Sequence, residues 1–114
     1  MSVRIEKNKG VWTIIHSRPE SRNAIDPASA DQLTDAFLEF NNSENGKVAV
    51  FWGEGGAFCA GWDLKLASML HTDDPLKDLD IELNEMVLKE SNLMPRGPMG
   101  PSRLNLKKPV IGAI

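Results

Sequence analysis

The chain has 114 residues, of which 41% are hydrophobic and 25% are charged, a composition typical of a soluble globular domain with one core. Its net charge of −3, without a basic block, argues against a nucleic-acid partner, and no apolar run is long enough to span a membrane. The single cysteine, Cys59, excludes an internal disulfide and predicts a soluble intracellular protein, with mitochondrion, peroxisome and cytoplasm all left open.

The first part of the chain predicts a β-hairpin and then a helix. Residues 3–6 alternate between apolar and polar, residues 8–10 form a turn signal, and residues 11–16 are rich in β-branched and aromatic side chains. After a loop at residues 18–25, Asp26-Pro27 is typical of a helix N-cap followed by a first-turn proline. The helix has one apolar face, made of Ala30, Leu33, Ala36, Phe37 and Phe40.

A strand, a glycine-rich stretch and a helix follow, at residues 48–52, 53–63 and 64–70. The strand is apolar without alternation, which predicts that both of its faces are covered. Because strands and helices alternate along the chain, we expect a partly parallel sheet and an α/β fold.

The last part of the chain predicts an amphipathic helix at residues 75–92 and a buried strand at residues 109–114. Between them, three prolines and two glycines at residues 94–101 exclude regular helix and central strand. That segment is either a plain linker or part of a ligand pocket. Because natural termini are usually polar and exposed, an end inside an apolar strand predicts that the sequence is a fragment.

Several residues invite a chemical role, and each has a structural alternative. The glycines of residues 53–61 permit positive φ and leave amide groups free to face an electron-rich oxygen, or they serve a tight turn alone. Cys59 has no histidine close in sequence, so we interpret it as a small packing residue and not as a nucleophile. His16 is interpreted as structural. No residue spacing predicts a metal site or a dinucleotide fingerprint.

Three stretches, in order, resemble the enoyl-CoA hydratase/isomerase (crotonase) family. They are R-P-E-x-R-N-A-I at residues 18–25, the apolar strand with G-x-G-G-A-F-C-A-G-x-D-L at residues 53–64, and K-P-V-I-G-A-I at residues 108–114. The resemblance runs from about Val3 to the last residue and implies a crotonase-like (ClpP/crotonase) spiral of ββα units. Residues 1–114 are then the N-terminal part of that domain, incomplete at the C-terminal end.

The resemblance implies an enzyme that acts on acyl-CoA thioesters without a separate cofactor. The chemistry shared by the family is a thioester enolate held by two backbone N–H groups, and the match places the first of these catalytic donors at Ala60. A backbone donor needs no reorientation during the reaction, and one such donor lowers the barrier by roughly 2.7–4 kcal/mol. The side chain at this position need only be small.

The resemblance also implies a CoA-binding surface on both loops, with candidate residues Arg22, Ala24, Ala60, Gly61, Trp62, Asp63 and Leu64. A guanidinium at position 22 suits a phosphate, although Glu20 weakens that assignment. The structural alternatives are a plain surface loop for residues 18–25 and a helix N-cap for Asp63. Trp62 either floors the thioester pocket or covers the core. Residues 94–101 are either a linker or part of an acyl-group pocket.

In the family, the second oxyanion donor and the catalytic carboxylates follow the stretch that matches residues 108–114. We therefore expect the isolated sequence to be inactive and the full-length protein to be a homotrimer or hexamer. Acyl-CoA is the expected partner, without nucleic acid or membrane. Two alternatives stay open: a non-catalytic crotonase-like module that binds acyl-CoA or a protein, and a small interaction domain whose glycine loop is only a turn.

Overall fold

The computed structural model describes residues 1–67 and 96–114, so the predicted helix at residues 75–92 and the last residues of the one at 64–70 lie outside it. The described elements are strands β1 (Val3–Asn8) and β2 (Val11–His16), helix α1 (Pro27–Asn42), strand β3 (Val48–Gly53), helix α2 (Leu64–Ala67) and strand β4 (Val110–Ala113). Short 3₁₀ turns occupy Pro19–Ser21 and Pro101–Arg103. This order confirms the predicted hairpin, the first helix and the two later strands.

The four strands form one sheet in the order β1-β2-β3-β4. β1 and β2 are antiparallel, whereas β3 is parallel to both β2 and β4, so the sheet is partly parallel as predicted. The carboxyl ends of β2 and β3 lie side by side, with His16 opposite Gly53. The two loops that follow these strands therefore leave the sheet at the same edge.

Helix α1 begins where the sequence predicts it. The Asp26 side chain accepts a hydrogen bond from the Ser29 N–H at 2.7 Å, and Pro27 occupies the first turn. The predicted apolar face is buried in full. Its aromatic residues pack against the sheet, with ring centroids 5.8 Å apart for Trp12 and Phe40 and 5.2 Å apart for Phe37 and Phe51. This face supplies half of the buried residues in the described hydrophobic core.

The carboxyl end of α1 is capped by a lysine from the far end of the chain. Lys108 Nζ donates to the Phe40 carbonyl at 2.8 Å and to the Ser43 carbonyl at 2.5 Å. The last carbonyls of a helix have no partner within it and attract a cation, so this contact is favourable. Because Lys108 precedes β4 by two residues, the same contact fixes where β4 joins the sheet.

The prediction that β4 is a buried strand and that β3 is covered on both faces is wrong for the part of the chain that the structure describes. Ile111 in β4 is 58% exposed and Trp52 in β3 is 39% exposed. The reason is that α1 covers one face of the sheet and β4 lies at its edge. An apolar run indicates that other segments can pack over a strand, but it does not identify those segments.

Residues 96–106 pack across α1. Gly100, at φ 85°, lies so close that a Cβ there would be 2.7 Å from the Ala30 carbonyl oxygen. Arg96 Nε donates to Asp31 Oδ1 at 2.5 Å, and Met99 packs against the core. A plain linker would not make these contacts. Among residues 1–67 and 96–114, no helix has both the length and the apolar character needed to cross a membrane.

Candidate functional site

The glycine-rich loop, residues 53–63, follows β3 and turns back tightly on itself. A Cβ added at Gly53 would lie 2.2 Å from the Phe58 carbonyl oxygen, so only glycine permits this close approach. Gly55 and Gly56 adopt φ angles of 97° and 95°, which disfavour any other residue. The glycines therefore have a geometric role, as the turn alternative proposes. Gly61, with a φ of 92°, and Gly56 both have open space where a Cβ would point.

The second loop, Arg18–Ile25, carries the deepest polar side chain of the site. Arg22 and Asn23 both adopt left-handed backbone conformations, with φ angles of 53° and 58°. The Asn23 side chain is fully buried, and its Nδ2 donates to the carbonyls of Glu54 and Ala57, both at 2.7 Å. Its Oδ1 accepts from the Arg18 N–H at 2.6 Å. Asn23 thus joins this loop to the first half of the glycine-rich loop.

A short parallel β-bridge joins the same loop to the second half of the glycine-rich loop. The Ile25 N–H donates to the Gly61 carbonyl at 2.8 Å, and the Asp63 N–H donates to the Ile25 carbonyl at 2.8 Å. The two loops that the family resemblance implies for CoA binding are therefore neighbours in space. Because of this bridge, the Gly61 carbonyl and the Asp63 N–H are already hydrogen-bonded within the protein.

Arg18 and Asp63 form a partly buried ion pair between the loops. Arg18 Nη2 lies 3.0 Å from Asp63 Oδ2 and 3.5 Å from Asp26 Oδ2, and Nη1 donates to the Ala24 carbonyl at 2.6 Å. Asp63 Oδ1 accepts from the Leu66 N–H at 2.9 Å, so Asp63 is the N-cap of α2, as the structural alternative predicts. This N-cap hydrogen bond, with a further contribution from Arg18, lowers the pKa of Asp63.

Ala60 lies at the exposed tip between these two attachments. No group in residues 1–67 and 96–114 accepts a hydrogen bond from its N–H, which leaves the amide available to a ligand. The neighbouring Gly61 N–H donates to Cys59 Sγ at 3.4 Å, so the amide of Gly61 is engaged within the loop. Within the described structure, the Ala60 N–H is therefore one of the main-chain donors of this loop that have no hydrogen-bond partner.

The remaining candidate residues differ in their exposure. Arg22 is exposed, and its guanidinium has no partner within the described ranges. Ala24, two residues further along the chain, is buried. Leu64 is 78% exposed at the start of α2. Trp62 is half-buried, and among the residues described it belongs neither to the main hydrophobic cluster nor to the wall of the nearby cavity.

An apolar cavity of about 330 Å³ lies between α1, β3 and residues 99–106. Phe58 and Cys59 of the glycine-rich loop form one part of its wall, and Met99 and Pro101 form another. The cavity thus reaches the residue that immediately precedes Ala60. Part of the Pro- and Gly-rich segment therefore lines a cavity, and its interpretation as an acyl-group pocket stays a prediction.

Sequence reasoning named the motif around Arg18 and Asn23 but gave neither residue a role of its own. The signal that would have found Asn23 is its type, because asparagine tolerates the left-handed conformation and bonds to main-chain groups. For the ion pair between Arg18 and Asp63, no local signal exists, because the two residues are 45 positions apart. Within the described ranges, no cluster of His, Cys, Asp and Glu side chains is suited to hold a metal ion.

His16, at the end of β2, is a packed structural histidine and has 1% of its surface exposed. Neither ring nitrogen has a hydrogen-bond partner among the described residues. Burial lowers the pKa of His16, and the positive charge of Arg18 lowers it further, against the opposing charges of Asp26 and Glu20. The folded protein therefore holds this imidazole neutral at neutral pH.

We expect His16 to make the protein less stable as the pH falls below neutrality. Its folded-state pKa is below 6.5, so the unfolded chain takes up a proton first as the pH falls through 6.5. The free energy of unfolding should then decrease by up to about 1.4 kcal/mol per pH unit from this group. Urea denaturation between pH 7.5 and 5 should show a flatter profile for His16→Leu. Equal slopes in the variant and the original protein would contradict the prediction.

A comparison with known protein families shows which family contains these loops. The model that describes enoyl-CoA hydratase/isomerase matches residues 6–90. The chain belongs to the enoyl-CoA hydratase/isomerase family. The match covers both loops, and it confirms the resemblance read from the sequence motifs.

Two similar proteins are named as a probable enoyl-CoA hydratase and a carnitinyl-CoA dehydratase. The chain is 30% identical over 113 residues to a probable peroxisomal enoyl-CoA hydratase of Arabidopsis thaliana, which covers 98% of this chain and 36% of that protein. It is 32% identical over 115 residues to a carnitinyl-CoA dehydratase of Salmonella arizonae, with 99% and 38% covered. The chain therefore spans less than two fifths of the length of these relatives.

Solved structures of the family share the fold described above. A probable enoyl-CoA hydratase/isomerase from Mycobacterium abscessus superimposes with a TM-score of 0.71 at 32% identity, over 99% of this chain and 37% of the other. An enoyl-CoA hydratase from Mycobacterium marinum gives 0.74 at 26% identity, with the same coverage. These likenesses confirm the crotonase-like α/β fold, of which this chain covers a part.

Proposed function

We propose that these residues supply the first half of a CoA-thioester site in an acyl-CoA enzyme of the enoyl-CoA hydratase/isomerase type. The observation that carries the proposal is that Ala60 is exposed and that its N–H has no hydrogen-bond partner in the described residues, on a loop attached at both ends. A fixed main-chain donor of this kind stabilises the negative oxygen of a thioester enolate without reorganisation. Ala60 then provides the first of two oxyanion donors.

The CoA moiety is proposed to lie along the two joined loops. Arg22 offers an exposed guanidinium that is unpaired among the residues described, which suits a phosphate of the nucleotide. The remaining contacts come from Ala24 and from residues 61–64. Gly61 supports this, because the open space beside it allows a ligand to approach the main chain. No cofactor other than the CoA of the substrate is required by this chemistry.

The rest of the site is proposed to come from segments of the whole protein outside these 114 residues. They would add the second oxyanion donor and the acid and base carboxylates, in a domain of which residues 1–114 form the N-terminal part. The coverage of 36% and 38% of the two named relatives supports this division. We further propose that the whole protein is intracellular and that it forms a homotrimer or hexamer. Light scattering after size exclusion tests the oligomeric state directly.

We expect the whole protein to hydrate or isomerise an enoyl-CoA, and residues 1–114 alone to show no turnover. One oxyanion donor without the second loses roughly 10²–10³ in rate, and the missing carboxylates lower it further. A change in the absorbance of the conjugated enoyl thioester measures turnover. Turnover by the 114 residues at the rate of the whole protein would contradict the division of the site.

Hydrogen exchange of the whole protein with and without ligand tests the location of the site. Protection by CoA at residues 18–25 and 58–64 supports the proposal, and protection without turnover of any acyl-CoA supports a binding module in its place. If neither segment gains protection, the glycine-rich loop is only a turn and the proposed function is wrong.

A further inference from the structure

We infer that Arg18 is a positioning residue that sets the direction of the Ala60 N–H, an inference that rests on the proposed function. Arg18 lies in the first loop, whereas the proposed donor is at the tip of the glycine-rich loop. The side chain acts through Asp63, the residue that ends the glycine-rich loop and caps α2. It would therefore affect the thioester oxygen without contacting the ligand.

The guanidinium of Arg18 bridges three separate parts of the site. One nitrogen, Nη1, donates to the Ala24 carbonyl at 2.6 Å, within the first loop. The other, Nη2, lies 3.0 Å from Asp63 and 3.5 Å from Asp26, which caps α1. The Arg18 side chain is only 18% exposed, so these contacts are largely shielded from water. Only a planar group with several fixed donors can make this set of contacts.

The glycine-rich loop is held on both sides of Ala60. On one side, the buried Asn23 side chain binds the carbonyls of Glu54 and Ala57. On the other, Asp63 is fixed through its main chain by Ile25 and through its carboxylate by Arg18. The residues between Ala57 and Asp63 are few, so fixing both ends restricts the orientation of every peptide between them.

The charges around Arg18 argue against a direct role in binding a CoA phosphate. Two carboxylates, Asp26 and Asp63, already neutralise its single positive charge. A phosphate would have to displace one of them and approach the other, which is unfavourable. Arg22, exposed and unpaired within the described structure, has no such competition. The two arginines of this loop therefore have different roles.

A β-keto thioester of CoA separates these roles in the whole protein. Loss of its α proton to solvent gives an enolate that absorbs in the near ultraviolet, and an oriented N–H lowers the pKa of the bound ligand by stabilising that oxygen. The pH profile of this absorbance reports the oxyanion site. The affinity for free CoA, which has no thioester carbonyl, reports the rest of the binding surface.

For Arg18→Gln we expect the enolisation constant of the bound β-keto thioester to fall roughly tenfold, because a small misplacement of a donor is costly. The affinity for free CoA should change less than about threefold, because Arg18 does not contact the nucleotide. Arg18→Lys should recover part of the loss, since lysine keeps the charge but not the three-way geometry. Asp63→Asn removes the same ion pair from the other side and should also lower the constant.

Glu39→Gln is the matched control, because it removes an exposed carboxylate that pairs with Lys7 at 3.6 Å, away from both loops. It should change neither readout. If Arg18→Gln does not fold, Arg18→Lys and Asp63→Asn carry the test. A wild-type protein that binds no CoA or stabilises no enolate contradicts the proposed function itself. An enolate signal that stays unchanged in the Arg18 and Asp63 variants, or one that falls in step with CoA affinity in the Arg18 variants, overturns the positioning role alone.

Discussion

Replacing Asn23 with glycine is expected to lower the free energy of unfolding by about 3 kcal/mol, because three main-chain groups lose their partner at once. The side chain is fully buried and bonds to the Arg18 N–H and to the carbonyls of Glu54 and Ala57. Glycine accepts the φ of 58° at this position, so the variant isolates the loss of the hydrogen bonds from backbone strain. Urea denaturation measures the effect.

Two further variants make this prediction specific. Asn23→Ala should be about 1 kcal/mol less stable than Asn23→Gly, because it adds the cost of a Cβ in the left-handed region. Arg22→Gly, at φ 53° in the same turn, is the control: its side chain is exposed, so the stability should be unchanged or slightly higher. If Asn23→Gly costs no more than Arg22→Gly, the buried amide does not hold the loops together.

Replacing Gly53 with alanine is expected to destabilise the protein by about 3 kcal/mol and to reduce any turnover of the whole protein by about 100-fold. The new Cβ would lie 2.2 Å from the Phe58 carbonyl oxygen and 2.8 Å from the Ala57 carbonyl oxygen, so the main chain must move. That movement displaces the segment that leads to Ala60. Thermal unfolding and steady-state kinetics give the two quantities.

Gly56→Ala provides the matched control for this steric argument. Gly56 lies in the same loop at φ 95°, but nothing lies within 4 Å of the position of a Cβ. The variant should therefore cost about 1 kcal/mol, from backbone strain alone. Equal effects at positions 53 and 56 would show that the close approach of Gly53 to Phe58 does not matter.

The elements that the sequence predicted well are those with local causes. Helix α1 was predicted from its cap, its first-turn proline and its apolar spacing, and all three are present in the structure. The hairpin followed from alternation and a turn signal that ends at Gly10. Each of these signals operates within a few residues, so no knowledge of the tertiary fold is needed to use it.

The features that the sequence did not predict depend on distant partners. The hydrogen bonds from Asn23 reach 31 and 34 positions along the chain, and the bond between Arg18 and Asp63 reaches 45. The exposure of β4 has the same kind of cause, because it depends on which segments pack beside Val110 and Ile111. Local pattern does not contain this information, and only family resemblance brought the two loops together before the structure did.

The proposed donor at Ala60 has a practical consequence for how this protein is dissected. A conventional scan that truncates side chains to alanine passes over position 60 without changing an atom, since the residue is already alanine. The group in question belongs to the peptide, so the informative replacement is an α-hydroxy acid that exchanges the nitrogen for an ester oxygen. Semisynthesis, and not ordinary mutagenesis, is the tool that this loop requires.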